Sequence, residues 1–181
     1  MGKRVLIVGG VAGGAGTAAR LRRLDETAEI ILFERGEFVS FANCGLPYYV
    51  GDVIKSRDAL ILQKPEAMAH KFNIDVRTRH EVTAIDREAK QISVINLASG
   101  DHYREDYDVL VLSTGSSPIR ARIPGVDSER VMTLWTIPDA DRIRRFVRER
   151  GVQSAVVVGG GFIGLEMAEN LHAAGCKVSI V

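Results

Sequence analysis

Two segments near opposite ends of this chain repeat one pattern: an apolar run, a glycine-rich turn, a helix-like stretch and a second apolar run. Val5-Leu6-Ile7-Val8 passes through Gly9–Gly14 into Ala15-Gly16-Thr17-Ala18-Ala19-Arg20-Leu21 and on to Ile30–Phe33. Ala155-Val156-Val157-Val158 passes through Gly159-Gly160-Gly161-Phe162-Ile163-Gly164 into Leu165–Leu171 and on to Lys177–Val181. Unbroken apolar runs are what strands covered on both faces of a parallel sheet require. The chain is therefore predicted to be α/β, built on two βαβ units. Its 181 residues suffice for one ordinary domain and part of another.

The glycines have a chemical purpose at this spacing. In a nucleotide-binding turn the first allows a tight bend, the second lets backbone approach a pyrophosphate and the third lets helix and strand pack closely, while helix N-terminal amides face the negative charge. Gly159-x-Gly161-x-x-Gly164 is a full match; the earlier turn has Gly9 and Gly14 but Val11 in the middle, with Gly13 added. The candidate nucleotide positions are Gly9, Val11, Ala12, Gly13 and Gly14 in one turn, and Gly159, Gly161, Phe162, Ile163 and Gly164 in the other. Glu34 follows the second apolar run about 20 residues after Gly14, with Arg35 beside it, and is placed to accept from ribose hydroxyls. The matching acid of the later unit would fall after Val181, so the choice between NADH and NADPH is not written in this sequence. Domains rarely end on an exposed βαβ half, and the chain is expected to be an N-terminal fragment of a longer protein.

Between the repeats, Ile74–Asp86, Gln91–Asn96 and Tyr107–Ser113 read as strands with turns at residues 86–88 and 99–101, predicting an antiparallel excursion that returns to the main sheet. Ser113-Thr114-Gly115-Ser116-Ser117-Pro118 is a turn where backbone could approach a ligand. Ile123-Pro124-Gly125-Val126 reads as a linker, which places a boundary near Pro118 and divides the chain into 1–117 and 118–181. Asp139–Arg150 is a charged helix whose arginines read as a solvated face.

Lys plus Arg number 24 against 23 Asp plus Glu, so no charge excess points to nucleic acid or an anionic membrane as partner. The first apolar run is too short for a secretory signal, Leu6 stands where myristoylation wants Ser or Thr, and no segment is long enough to span a bilayer. The two cysteines, Cys44 and Cys176, match neither metal spacing nor a CxxC pair. A cytoplasmic protein without a metal, acting on small molecules, is expected.

Cys44 lies in Ser40-Phe41-Ala42-Asn43-Cys44-Gly45-Leu46-Pro47-Tyr48, and is predicted to open a short helix whose amide dipoles favour the thiolate. With no second cysteine one turn away, its oxidised form is a mixed disulfide with a small thiol or a sulfenic acid. Cys176, at a helix-to-strand turn, reads as inert.

The order of first turn, Glu34, Ser40-Phe41-x-Asn43-Cys44-x-Leu46-Pro47-Tyr48, Ser113-Thr114-Gly115 and second turn resembles the single-cysteine branch of the flavin-dependent pyridine nucleotide-disulfide oxidoreductases. Within that branch it is most similar to the coenzyme A-disulfide reductases, including the forms fused to a rhodanese domain. The resemblance implies a Rossmann-like FAD-binding domain followed by the first βαβ of a Rossmann-like NAD(P)-binding domain. It implies that Gly9, Gly14 and Glu34 hold the ADP half of FAD, that Thr114 and Gly115 lie close to it, and that Gly159, Gly161 and Gly164 hold NADH or NADPH. Phe162 falls at the family's aromatic gate over the flavin, and Cys44 at its redox nucleophile, cycling through a mixed disulfide with coenzyme A. Ser40 and Asn43 match positions that contact substrate near the sulfur, while Arg20, Arg23 and Lys71 are candidates for the coenzyme A phosphates. The resemblance also implies a homodimer in the full-length protein, with active-site tyrosines from a C-terminal domain. NADH oxidases and peroxidases share this architecture and a lone cysteine, so a sulfenic acid enzyme is the alternative within the class. A nucleotide-binding module without turnover is the alternative outside it.

Overall fold

The computed structural model describes residues 2–181. In chain order the elements are β1 (Arg4–Val8), α1 (Ala12–Leu24), β2 (Glu29–Glu34), α2 (Leu46–Val50), α3 (Pro65–Phe72), β3 (Ile74–Thr78), β4 (His80–Asp86), β5 (Gln91–Asn96), β6 (His102–Asp106), β7 (Val109–Leu112), α4 (Ile137–Glu149), β8 (Ser154–Val157), α5 (Phe162–Ala173) and β9 (Lys177–Ile180). They form two compact units. The first runs to Phe41 and resumes over Ile61–Gly115; the second comprises Ala42–Leu60 and Ser116–Val181, and so takes in residues that precede the boundary expected near Pro118.

The first unit is built on a four-stranded parallel sheet of order β3-β2-β1-β7. Period-two alternation divides its side chains between two cores. Val5, Ile7, Ile30 and Leu32 pack under Ala15 and Ala18 of α1 and Met68 of α3. Leu6, Ile31 and Phe33 face the other way and pack against Ile92 and Val94 of β5, in a three-stranded antiparallel sheet of order β4-β5-β6. Cover on both faces is why the central strands β1 and β2 carry polar residues only at their ends, Arg4, Glu29 and Glu34.

The excursion and its return to the main sheet through β7 are as expected, but the strand boundaries are corrected. Residues 74–86 are not one strand: Arg79, at φ +58°, breaks them, leaving β3 in the parallel sheet and β4 in the antiparallel one. Strand β6 and helix α3 were not foreseen. The inward Glu105 of β6 accepts from Arg4 at 2.5 Å and from Arg77 at 2.5 Å, tying the antiparallel sheet to β1 and β3.

The second unit carries the later repeat. Strands β8 and β9 pair in parallel with α5 between them in sequence, and α2 packs on α4 and α5. Helix α4 begins with a full capping box, in which the Thr136 hydroxyl accepts from Asp139 N and the Asp139 carboxylate accepts from Thr136 N. Among the described residues no helix is long and apolar enough to cross a membrane.

Candidate functional site

The two glycine turns are built alike. In the first, a Cβ on Gly14 would lie 1.7 Å from the Gly9 carbonyl oxygen, and in the second a Cβ on Gly164 would lie 2.0 Å from that of Gly159. Helix and turn touch backbone to backbone at both places, which only glycine permits. Gly9 and Gly159 also share a left-handed φ, +99° and +104°. Helices α1 and α5 start at these turns with no side-chain cap and no acidic residue in the first turn, whereas α4 is fully capped. Their leading amides are thus left for an anionic ligand, and Ala12, Gly13, Gly161, Phe162 and Ile163 are all exposed there. Val11 occupies the N-cap of α1.

Glu34 ends β2 where the repeat requires an acid. Its carboxylate is fixed by two backbone donors, Gly10 N–H at 2.8 Å and Gly36 N–H at 2.7 Å. Each oxygen retains a lone pair for a hydroxyl. Arg35 beside it is exposed. At the end of β7, Ser113 N–H donates to the Val8 carbonyl at 2.8 Å, placing exposed Thr114 and Gly115 beside the first turn. A dinucleotide fits this cradle: open amides, close-packed backbone and a pinned carboxylate stand together.

Cys44 sits in a single turn of 3-10 helix, Asn43–Gly45, that runs straight into α2. Its thiol is exposed, while Leu46, Pro47, Tyr49 and Val50 that follow are buried. Cys176 is the opposite case, buried with its thiol donating to the Val152 carbonyl at 3.3 Å.

Ser40, in the first unit, lies at φ +46°. Its N–H donates to the Gly10 carbonyl at 2.9 Å and its carbonyl accepts from Leu62 N–H at 2.8 Å, so it joins the first turn to the returning chain. Asn43 is exposed beside Cys44. Arg20 and Arg23 are exposed on α1, as is Lys71 on α3. Arg22 between the two arginines is otherwise employed, donating to the Phe72 carbonyl at 2.7 Å and to that of Asn73 at 2.8 Å.

One reading is corrected in the second unit: the arginines of α4 are not all solvated. Arg144 retains 12% side-chain exposure and lies over the Tyr49 ring, 4.2 Å from its centroid. The contact joins residues distant in sequence, so only the charge spacing of Asp141, Arg144 and Arg148 on one helix face could have hinted at it.

These features define a class. The sequence matches the pyridine nucleotide-disulphide oxidoreductase family over residues 3–181, and the chain belongs to that family, as the cysteine motif led us to expect. The coenzyme A disulfide reductase of Staphylococcus haemolyticus is 38% identical over 179 residues, which are 99% of this chain and 40% of that protein. The crystal structure of reduced Bacillus anthracis CoADR-RHD superposes with a TM-score of 0.96 at 49% identity, over 99% of this chain and 32% of that one. An NAD-dependent persulfide reductase from A. fulgidus gives 0.93 at 37% identity, over 98% of this chain and 33% of its own. The chain spans about 40% of the length of the curated relatives it matches.

Proposed function

We propose that this chain carries the nucleotide sites and the redox sulfur of an FAD-dependent NAD(P)H:disulfide oxidoreductase acting on coenzyme A disulfide or a related persulfide. The observation that carries the reading is the contrast between its two thiols, Cys44 exposed and Cys176 buried and bonded. With Cys176 buried, a disulfide at Cys44 has to be made with a thiol from outside the chain, which on this reading is the substrate's. On this reading residues 1–117 bind FAD through Gly9, Val11, Ala12, Gly13, Gly14, Glu34, Arg35, Thr114 and Gly115. Residues 118–181 begin the domain that binds NADH or NADPH through Gly159, Gly161, Phe162, Ile163 and Gly164. Arg20, Arg23 and Lys71 meet the phosphates of coenzyme A, Ser40 and Asn43 lie near its sulfur, and the longer protein works as a cytoplasmic homodimer.

FAD, when bound, supplies the two-electron link between nicotinamide and sulfur. The chain's own part is thiol–disulfide exchange. The Cys44 thiolate attacks one sulfur of the disulfide, the S–S bond breaks, and one coenzyme A leaves as a thiolate that takes a proton from solvent. Cys44 is left in a mixed disulfide; two electrons from NAD(P)H by way of FAD would break that bond, releasing the second coenzyme A as a thiolate that takes a proton from solvent and restoring the Cys44 thiolate.

The test is intact mass of protein purified without reductant, before and after dithiothreitol, with Cys44→Ser alongside. A coenzyme A-sized adduct lost on reduction from wild type only is the expected result. Oxygen additions at Cys44 would replace the reading with oxidase or peroxidase chemistry, and a Cys44 inert to added coenzyme A disulfide would overturn it.

A further inference from the structure

Helix α2 spans five residues and has no side-chain cap at its start. A helix this short does not hold itself together in water. What fixes it comes from α4 and α5. Tyr49 is buried; its hydroxyl donates to Asp141 Oδ1 at 2.8 Å, and the Arg144 guanidinium covers its ring. Arg144 Nη2 also donates to Asp52 Oδ1 at 2.6 Å and to the Lys55 carbonyl at 3.2 Å. Arg148 reaches the same carboxylate oxygen at 2.6 Å. Asp52 itself stands at φ +66°, in the left-handed region, which aspartate enters more readily than most residues.

Two details show that this packing is tight. Arg144 Nε is buried with no hydrogen-bond partner among the described residues, an unfavourable arrangement that the ring stack and the Asp52 bond must offset. On the other side of the loop, a Cβ on Gly51 would lie 2.6 Å from Asn170 Oδ1 of α5. The segment is clamped from two helices just past its C-terminal end. Between that clamp and the exposed cysteine lie the buried Gly45, Leu46, Pro47, Tyr49 and Val50 and the half-buried Tyr48.

We propose that Arg144 is a positioning residue for Cys44: by covering Tyr49 and holding Asp52 it fixes α2, and with it the turn that carries the thiol, on helix α4. This rests on the reading of Cys44 as the redox nucleophile. The sulfur entering a disulfide must approach along the axis of the bond it breaks, so a thiol on a fraying turn spends most of its time misaligned. Arg144 touches neither the sulfur nor a substrate and acts only through Tyr49 and Asp52.

The experiment compares the 181-residue chain with Arg144→Met, Arg144→Lys and Arg142→Met, the last an exposed site on the same helix. Two rates are read: amide exchange of residues 46–52, and formation of the Cys44 mixed disulfide with coenzyme A disulfide, followed by intact mass. Amide exchange in β1 and β2 reports whether the fold is kept. In Arg144→Met, exchange in α2 should rise at least tenfold and mixed-disulfide formation fall at least fivefold, with β1 and β2 unchanged. Arg144→Lys, which keeps a charge for Asp52 but loses the stack, should recover part of both, and Arg142→Met should match wild type. Should Arg144→Met not fold, Asp52→Asn is expected to move both rates the same way by less. An Arg144→Met protein with the wild-type value of either rate overturns the proposal. A wild type that does not react with coenzyme A disulfide sinks the redox reading instead, so the two failures are told apart.

Discussion

Gly14 and Gly16 lie two residues apart on α1 and face opposite fates on gaining a methyl group. A Cβ on Gly14 meets the Gly9 carbonyl oxygen at 1.7 Å, whereas a Cβ on Gly16 meets nothing within 4 Å. Gly14→Ala should therefore destabilise the protein by at least about 2 kcal/mol, since backbone must move to admit it. Gly16→Ala should stabilise it by about 0.5–1 kcal/mol through helix propensity alone. Denaturant melts of the two variants check the pair, and equal effects would mean that the first turn does not pack as described. Ser40 offers a second residue-scale test, because its φ of +46° costs a non-glycine residue about 1–2 kcal/mol. Ser40→Gly should fall within about 1 kcal/mol of wild type, while Ser40→Val should lose about 2 kcal/mol or more in the same melt.

At the scale of elements, the ion pairs around α2 make its hold dependent on pH. Asp52 is held down to about 2 from an ordinary 3.8, chiefly by the hydrogen bond from Lys55 and next by that from Arg144. A carboxyl whose folded pKa lies below its unfolded one stabilises fully above the unfolded value, and that contribution is lost as pH falls through the folded value. Between pH 4 and pH 2, then, amide exchange in α2 should converge on that of Asp52→Asn measured at the same pH, and at pH 5 it should be slower. A constant ratio of the two rates across that window would show that Asp52 does not hold the loop. This ion cluster was invisible in the sequence because its halves lie 92 residues apart. The strands β1 and β2 were legible, since burial on both faces leaves an unbroken apolar run, and so was α4 up to its capping residues. Strand β6 was not: of its five residues, His102, Arg104 and Asp106 are exposed and the half-buried pair is Tyr103 and Glu105, a pattern with no apolar period. The break at Arg79 was hidden for a different reason, because an arginine gives no sign of a left-handed backbone. Of the candidate site, the glycine turns, Glu34 and Cys44 could be read from spacing, while the residues holding Cys44 in place could not.

At the scale of the whole molecule, the two units are unequally supported. The central strands of the first unit are covered on both sides, with Leu6, Ile7 and Leu32 wholly buried. Among the described residues the parallel pair β8 and β9 has no third strand, and Val156, Ile180, Phe162 and Leu165 around it stand exposed, Phe162 to 90%. Two strands are marginal in water without further burial, and opening free energy follows burial. Amides of β8 and β9 should accordingly exchange at least a hundredfold faster than those of β1 and β2. The glycine turn Gly159–Gly164 lies between those two strands in sequence and is bonded to the residue that follows β9, Gly159 N–H donating to the Val181 carbonyl at 2.7 Å. A ligand bound there adds its binding free energy to exactly the elements that open most readily. At a concentration about 100 times its dissociation constant it stabilises them by about 2.7 kcal/mol, close to a hundredfold in exchange. Titrating NADH and NADPH separately against amide exchange should slow β8 and β9 by that factor with whichever nucleotide binds, and leave β4–β6 unmoved. No change in β8 and β9 with either nucleotide would remove this turn as a nicotinamide-nucleotide site, while an equal slowing in β4–β6 would mean that the two units open as one.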